Sequence, residues 1–202
     1  MAVSNEARTK ITGPASYYSG PAAELSKTDG IVFAIQPDIV YNQAVNYTPY
    51  NLTHTNYTTY AYSGTPSPTI QVTAQFSNVT QEEHLYTQGV IHFLRSVSKM
   101  YYGFTDANLS PVAGTPPPLL HFSSFGEQMF NNIPVLLGNV SIPFQSDTDL
   151  VEVIGTSGKP QALPAVQTIA LDLLVSVNPA KQKKKFSKHE FISGSAYGKG
   201  FI

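Results

Sequence analysis

The chain has 202 residues, which suits one domain of ordinary size, with or without terminal arms. It contains no cysteine, so disulfide frameworks, thiol nucleophiles and Cys-ligated zinc are excluded. Twelve basic and thirteen acidic residues give a formal net charge of -1, which lacks the basic excess of a dedicated duplex-DNA binder.

Charged side chains are scarce along this chain. They make up 12% of the residues, against roughly 25% in a typical soluble domain, whereas the hydrophobic content of 42% is ordinary. No Asp, Glu, Lys or Arg occurs in residues 39–81 or 107–126. Because a monomer usually keeps charge on its exposed faces, we expect much of this surface to face other protein. A monomer rich in Thr, Tyr and Asn is the alternative, and composition leaves both open.

Residues 1–29 are predicted to form an N-terminal arm, because they contain two Gly-Pro pairs and scattered charges. A β domain over residues 30–178 then begins with a strand at 31–36, where alternate apolar side chains share one face. Residues 41–62, rich in Tyr, Asn and Thr, are expected to hold further extended segments. Neither a signal-peptide core nor an apolar run of about 20 residues occurs, so no membrane contact is expected.

The clearest strand is predicted at residues 70–76. Its apolar residues alternate with Gln71, Thr73 and Gln75, which therefore share the opposite face. That face is polar but uncharged. It is either plain solvent surface or the lining of a channel that must not grip a charged polymer.

One long helix is predicted at about residues 81–102. Thr80 and Glu83 have the spacing of a capping box, apolar residues then recur at helical spacing, and Gly103 is a stop signal. A single amphipathic helix among many strands indicates an α+β fold, mainly β, with the helix covering one sheet face.

Further strands are predicted at residues 119–122, 133–140, 141–144, 150–154 and 166–177. Residues 155–159, Gly-Thr-Ser-Gly-Lys, superficially resemble a phosphate loop. They lack its glycine spacing and its following helix, so a hairpin turn is predicted instead. The lysine-rich residues 179–202 are predicted to be a basic tail outside the core.

The sequence contains few of the side-chain groupings that catalysis requires. The five histidines are scattered, no Gly-x-Ser-x-Gly elbow occurs, and Asp147 and Asp149 lack a third partner, so they are interpreted as turn carboxylates. We therefore predict no enzyme activity, no cofactor and no metal site. A small cell-wall hydrolase using Asp147 or Asp149 is an alternative.

The strongest electrostatic feature is a lysine cluster in the basic tail. It is either a solvated tail, a contact for nucleic-acid phosphates or a docking segment for an acidic protein face. The cluster and a contrasting acidic segment could form a head-to-tail contact between copies. The candidate docking residues of the cluster are Lys181, Lys183, Lys184, Lys185 and Lys188, and those of the acidic segment are Asp147, Asp149 and Glu152.

Several sequence blocks carry a family resemblance that spans residues 30–202. They are GIVFAIQP at 30–37, GVIHFLR at 89–95, KMYYG at 99–103, GTPPPLL at 114–120, FNNIPV at 130–135 and the acidic turn at 147–151. Together they look like the tail tube initiator and cap proteins of contractile-tailed bacteriophage baseplates. The N-terminal residues 1–29 show no pattern of that family.

The resemblance implies a tail-tube fold, in which two antiparallel sheets form a β-sandwich or barrel-like body with one flanking helix. It implies a ring of six copies in the virion baseplate, seated on the hub or spike protein, from which the tail tube protein polymerises. The resemblance also implies possible contacts with the wedge or sheath proteins of the baseplate. Gln71, Thr73 and Gln75 would then face a lumen through which DNA passes without specific binding.

A binding module is the second interpretation of the same composition. A monomeric β-rich domain could bind oligosaccharide or single-stranded nucleic acid by stacking on exposed aromatic rings. The candidate platforms are Tyr47, Tyr50, Tyr57, Tyr60 and Tyr62. These tyrosines could equally be core or interface residues.

Overall fold

The computed structural model describes residues 7–102, 114–144, 146, 148–155, 158–196 and 199–202. Within these ranges the strands are β1 Lys10–Thr12, β2 Ile31–Val32, β3 Asp38–Asn42, β4 Asn46–Tyr50, β5 Thr59–Gly64, β6 Thr69–Ser77, β7 Leu120–Ser124, β8 Phe130–Ser141, β9 Leu150–Ile154, β10 Pro160–Pro164 and β11 Val166–Val175. The helices are α1 Gln81–Val97, α2 Pro179–Lys185 and α3 Lys188–Ser193. The strand pairs in these ranges are antiparallel, which confirms the predicted class, α+β and mainly β.

Seven strands form one large sheet, in the order β2-β1-β7-β8-β11-β6-β3, and the others form the hairpins β4-β5 and β9-β10. The central strands β6 and β11 alternate between inward and outward residues, as the sequence predicts. β8 covers the predicted strand at residues 133–140, whereas the predicted strand at 141–144 is in a strand only at Ser141. Gly138 is left out of the register between β8 and β11, so the glycine marks a bulge.

The large sheet is strongly curled. Its two edge strands, β2 and β3, are joined by the short segment from Phe33 to Pro37. A flat sheet of seven strands would hold its edges about 29 Å apart, whereas six residues of chain from Val32 to Asp38 reach at most about 22 Å. The rings of Phe33 and Phe76, near opposite ends of the strand order, lie 5.6 Å apart. The sheet therefore closes toward a barrel-like form around its buried side chains.

Helix α1 lies against the buried side of the sheet. It begins at the predicted capping box, in which Thr80 Oγ1 accepts from the Glu83 N–H and the Glu83 carboxylate accepts from the Thr80 N–H. The helix ends at Val97 and not near residue 102. The N–H of Ser98, the residue after the helix, donates to the Leu94 carbonyl. Its buried face supplies Val90, Phe93, Leu94 and Val97 to the core.

The described part of the predicted N-terminal arm belongs to the folded domain. β1 inserts between β2 and β7, and Ile11 and Leu25 are completely buried. At Gly30 the backbone has φ 122° and a Cβ atom would lie 2.4 Å from the Ile11 carbonyl oxygen, so only glycine fits there. The expectation of an arm ending at residue 29 is therefore corrected for residues 7–29. Residues 1–6 lie outside the described ranges.

The described part of the basic tail also packs onto the domain. Residues 179–196 and 199–202, here called the C-terminal module, hold α2, α3 and a cluster of three phenylalanines. The Phe186 ring lies 5.3 Å from Phe201 and 6.1 Å from Phe191, and Phe201 is buried. Gly200 lies close to Pro134 of β8. This aromatic cluster is the reason why the segment is not a tail outside the core.

Candidate functional site

A two-stranded ribbon, residues 46–64, extends the sheet at its β3 edge. β3 pairs with β6 up to Asn42 and Thr69, and β4 pairs with β5 from Asn46 and Gly64 onward. The two ladders are therefore successive parts of one antiparallel ribbon with an irregular junction. At that junction the Gln43 side-chain amide donates to the Pro66 carbonyl oxygen at 2.8 Å. We call residues 46–64 the tyrosine ribbon.

The tyrosine ribbon is exposed on both faces. Its tyrosines have between 53% and 87% of their surface exposed to solvent. Because directly paired residues of an antiparallel ladder share a face, one face collects three tyrosines and a proline. The pairs on that face are Tyr47 with Tyr62 and Pro49 with Tyr60. The Tyr47 and Tyr62 rings meet edge to face at 6.1 Å, whereas Tyr50 belongs to the other face.

The chemistry of the tyrosine ribbon is that of an unpartnered interface. A two-stranded hairpin alone is at best marginally stable in water, and an exposed aromatic face usually marks an interaction site. Residues 39–81 contain no charge, so the ribbon has no cation with which to hold a nucleic-acid backbone. Pro49 removes one backbone donor from β4, which weakens addition of a further strand there. The aromatic face is therefore the candidate contact surface.

The two edges of the large sheet differ in whether their backbone groups are free to pair with a further strand. On β2, the Tyr86 hydroxyl of α1 accepts from the Val32 N–H at 2.8 Å and donates to the Val32 carbonyl at 3.1 Å. Burial raises the pKa of Tyr86, so the hydroxyl keeps the proton that it donates. Among the described strands, β3 pairs with β6 on one side and with none on the other. The open edge is thus the one that carries the tyrosine ribbon.

The outer face of β6 presents Gln71, Thr73 and Gln75 to solvent. Cross-strand register places Asp172 beside Gln71, and Asp38 beside Thr73. The expectation of an uncharged face is corrected accordingly, since two carboxylates flank these residues. Strands β8, β11, β6 and β3 contain no Lys or Arg, so this part of the sheet offers no cation to a polyanion.

The lysines of the predicted cluster divide into two groups in the C-terminal module. Lys181, Lys184 and Lys185 line one cleft, and Lys183 and Lys188 do not. The acidic residues of the predicted counterpart are exposed at Asp149 and at Glu152 of β9. Asp147 lies outside the described residues. Among the described residues, no ion pair joins the acidic segment to the lysines.

The described histidines and carboxylates form no metal site. Among these residues, no group of three or more His, Asp or Glu side chains is close enough to hold a metal ion. His84 is completely buried on α1, whereas His92 is exposed on the same helix. The predicted hairpin is confirmed at its described residues, because β9 pairs with β10 and the Gly155 N–H donates to the Lys159 carbonyl. Residues 156 and 157 lie outside the described ranges.

No protein-family model matches this chain, and no curated protein does so. The resemblance to phage baseplate proteins therefore stays a prediction. None of the helices in the described ranges combines the length and apolar character that crossing a membrane requires.

Proposed function

We propose that this chain is a structural ring protein of a contractile phage baseplate. In this proposal six copies form a ring that sits on the hub, initiates or caps the tail tube, and leaves a lumen for DNA. The observation that carries it is the tyrosine ribbon, an uncharged aromatic surface that projects from an open sheet edge with no partner within the described chain. Docking on a neighbouring copy would remove that surface from water.

The outer face of β6 supports a passive role toward DNA. Gln71, Thr73 and Gln75 can form hydrogen bonds with water, and Asp38 and Asp172 repel a polyanion. Such a surface would let DNA pass without retention. We propose that this face lines the lumen of the ring, and that the chain has no catalytic role.

An assembly experiment tests the role of the aromatic face. We expect the wild-type protein to form closed rings at high concentration, as measured by sedimentation velocity and electron microscopy. The triple variant Tyr47→Ser, Tyr60→Ser, Tyr62→Ser should remain monomeric, because it loses the aromatic face. Its thermal unfolding should be unchanged, since the ribbon lies outside the core. Tyr50→Ser, on the other face of the ribbon, is the control and should assemble.

A monomeric binding module is the second candidate. The same aromatic face favours an oligosaccharide ligand, whereas the absence of Lys and Arg from residues 39–81 argues against single-stranded nucleic acid. A wild-type protein that stays monomeric at every concentration and binds an oligosaccharide through Tyr47 and Tyr62 would replace the ring proposal with this one.

A further inference from the structure

The C-terminal module contains a basic cleft that the ring proposal does not use. Its volume is about 600 Å³, within the range of small-molecule sites. The lining residues carry four ammonium groups and one carboxylate. They are Lys181, Lys184, Lys185, Phe186, Ser187, Glu190 and Lys199.

The lysines of the cleft are held on one side of a short helix. Lys181, Lys184 and Lys185 are three and four positions apart on α2, a spacing that brings side chains to the same helix face. Like charges so placed repel one another, and an anion bound among them would relieve the repulsion.

The positive charge of the cleft is not neutralised within the described chain. Glu190 is the carboxylate among the lining residues, and it pairs with Lys199 at 2.6 Å. No ion pair engages Lys181, Lys184 or Lys185 among the described residues. The cleft therefore has three unpaired ammonium groups, with the Ser187 hydroxyl beside them.

One lining residue of the cleft, Phe186, belongs to the aromatic cluster of the C-terminal module. The Phe186 ring packs against Phe201, and the Lys181 ammonium lies 5.9 Å from the centre of the Phe201 ring. Phe201 is in turn buried at the end of the chain. The aromatic packing therefore supports Lys181, whereas the side chains of Lys184 and Lys185 are exposed at the rim of the cleft.

We propose that this cleft binds a short run of linked phosphate groups. Several close negative charges on one ligand match several close ammonium groups, and lysine is a common point-charge ligand of phosphate. The phosphates could belong to a nucleic-acid backbone or to a free oligophosphate, which share this chemistry. Recognition is electrostatic, so affinity should fall as salt rises.

Two double variants with equal charge change test the site. Calorimetric titration with tripolyphosphate should show one binding site in the wild type. Lys181→Gln with Lys184→Gln should weaken that binding by about tenfold or more, because each lost charged hydrogen bond contributes strongly to affinity. Lys183→Gln with Lys188→Gln, which leaves the cleft lining intact, should weaken it by less than about threefold. Thermal unfolding of both variants checks that each remains folded.

Competition identifies the source of the phosphates. If a single-stranded oligothymidylate displaces tripolyphosphate, the natural ligand is a nucleic-acid backbone, and if it does not, the ligand is a free oligophosphate. Equal weakening by both double variants would overturn the proposal, because diffuse surface charge would then explain the binding. It would also be overturned by tighter binding of a poly-glutamate peptide than of tripolyphosphate, which would indicate an acidic protein partner, or by no binding of tripolyphosphate at low salt.

Discussion

The rings of Phe33 and Phe76 lie 5.6 Å apart, although four strands separate β2 from β6 in the sheet order. Phe33 follows an edge strand, and Phe76 is near the end of β6 beside the opposite edge. Their contact joins the two ends of the curled sheet across its buried side. The short link between the edge strands β2 and β3 depends on that curl.

Replacing Phe33 by alanine should destabilise the fold strongly. Both rings are buried, and truncating a buried phenylalanine typically costs about 3–5 kcal/mol in free energy of unfolding. Urea unfolding followed by circular dichroism measures that loss. Phe144→Ala, at an exposed phenylalanine, should cost much less. A loss below about 1 kcal/mol for Phe33→Ala would contradict the role assigned to this contact.

The Tyr86 hydroxyl should protect the β2 edge. Tyr86→Phe leaves the N–H and the carbonyl of Val32 without that partner, which should lower the free energy of unfolding by about 1–3 kcal/mol. Amide hydrogen exchange at Val32 should also become faster. Tyr102→Phe, at a highly exposed tyrosine, serves as the control. Unchanged exchange at Val32 in Tyr86→Phe would show that the hydroxyl does not close this edge.

Residues 7–29 should be required for stability, since they are packed into the domain. Leu25→Ala removes a completely buried side chain and should cost about 2–5 kcal/mol in free energy of unfolding. Leu52→Ala, at an exposed position of the tyrosine ribbon, should cost little. Denaturant unfolding of the two variants compares the sites directly. Equal, small effects would restore the interpretation of this segment as an arm.

The elements that local pattern determines were predictable from the sequence. Alternation located β6 and β11, and the Thr80 capping box located the start of α1. Each signal is local, because it depends on neighbours along the chain. β1 lacks such a signal, since its three residues contribute a single buried side chain, Ile11, and the strand forms only between β2 and β7.

The candidate site was predictable in composition but not in geometry. The sequence showed the uncharged, Tyr-rich segment. Its position beyond the large sheet, however, depends on where the pairing of β3 with β6 ends and the pairing of β4 with β5 begins. The packing of the lysine-rich segment onto the domain likewise depends on the contact between Phe186 and Phe201, which are 15 positions apart in the sequence. Contacts between distant residues leave no periodic signature. The same limit hid Asp172 beside Gln71, because cross-strand register follows from the whole sheet.

The stability of the protein should fall in mild acid because of His84. Burial lowers the pKa of His84, and neither ring nitrogen has a hydrogen-bond partner among the described residues. In the unfolded chain the imidazole titrates near its ordinary value of about 6.5, so below that pH the unfolded state binds more protons than the folded state. The stability is therefore intact above about pH 6.5 and declines as the pH falls toward the lowered pKa of the folded state, by at most about 1.4 kcal/mol per pH unit.

The variant His84→Leu isolates this effect. It removes the titrating group and the unpartnered nitrogens, so the free energy of unfolding near pH 7.5 should be similar to that of the wild type or higher. Between pH 6.5 and 5 the free energy of unfolding of the variant should fall less steeply with decreasing pH than that of the wild type. The difference in slope should correspond to at most one bound proton. Urea unfolding at several pH values measures the slopes, with His92→Gln as the exposed control on the same helix. Parallel slopes for the wild type and His84→Leu would exclude His84 as the cause of any acid sensitivity.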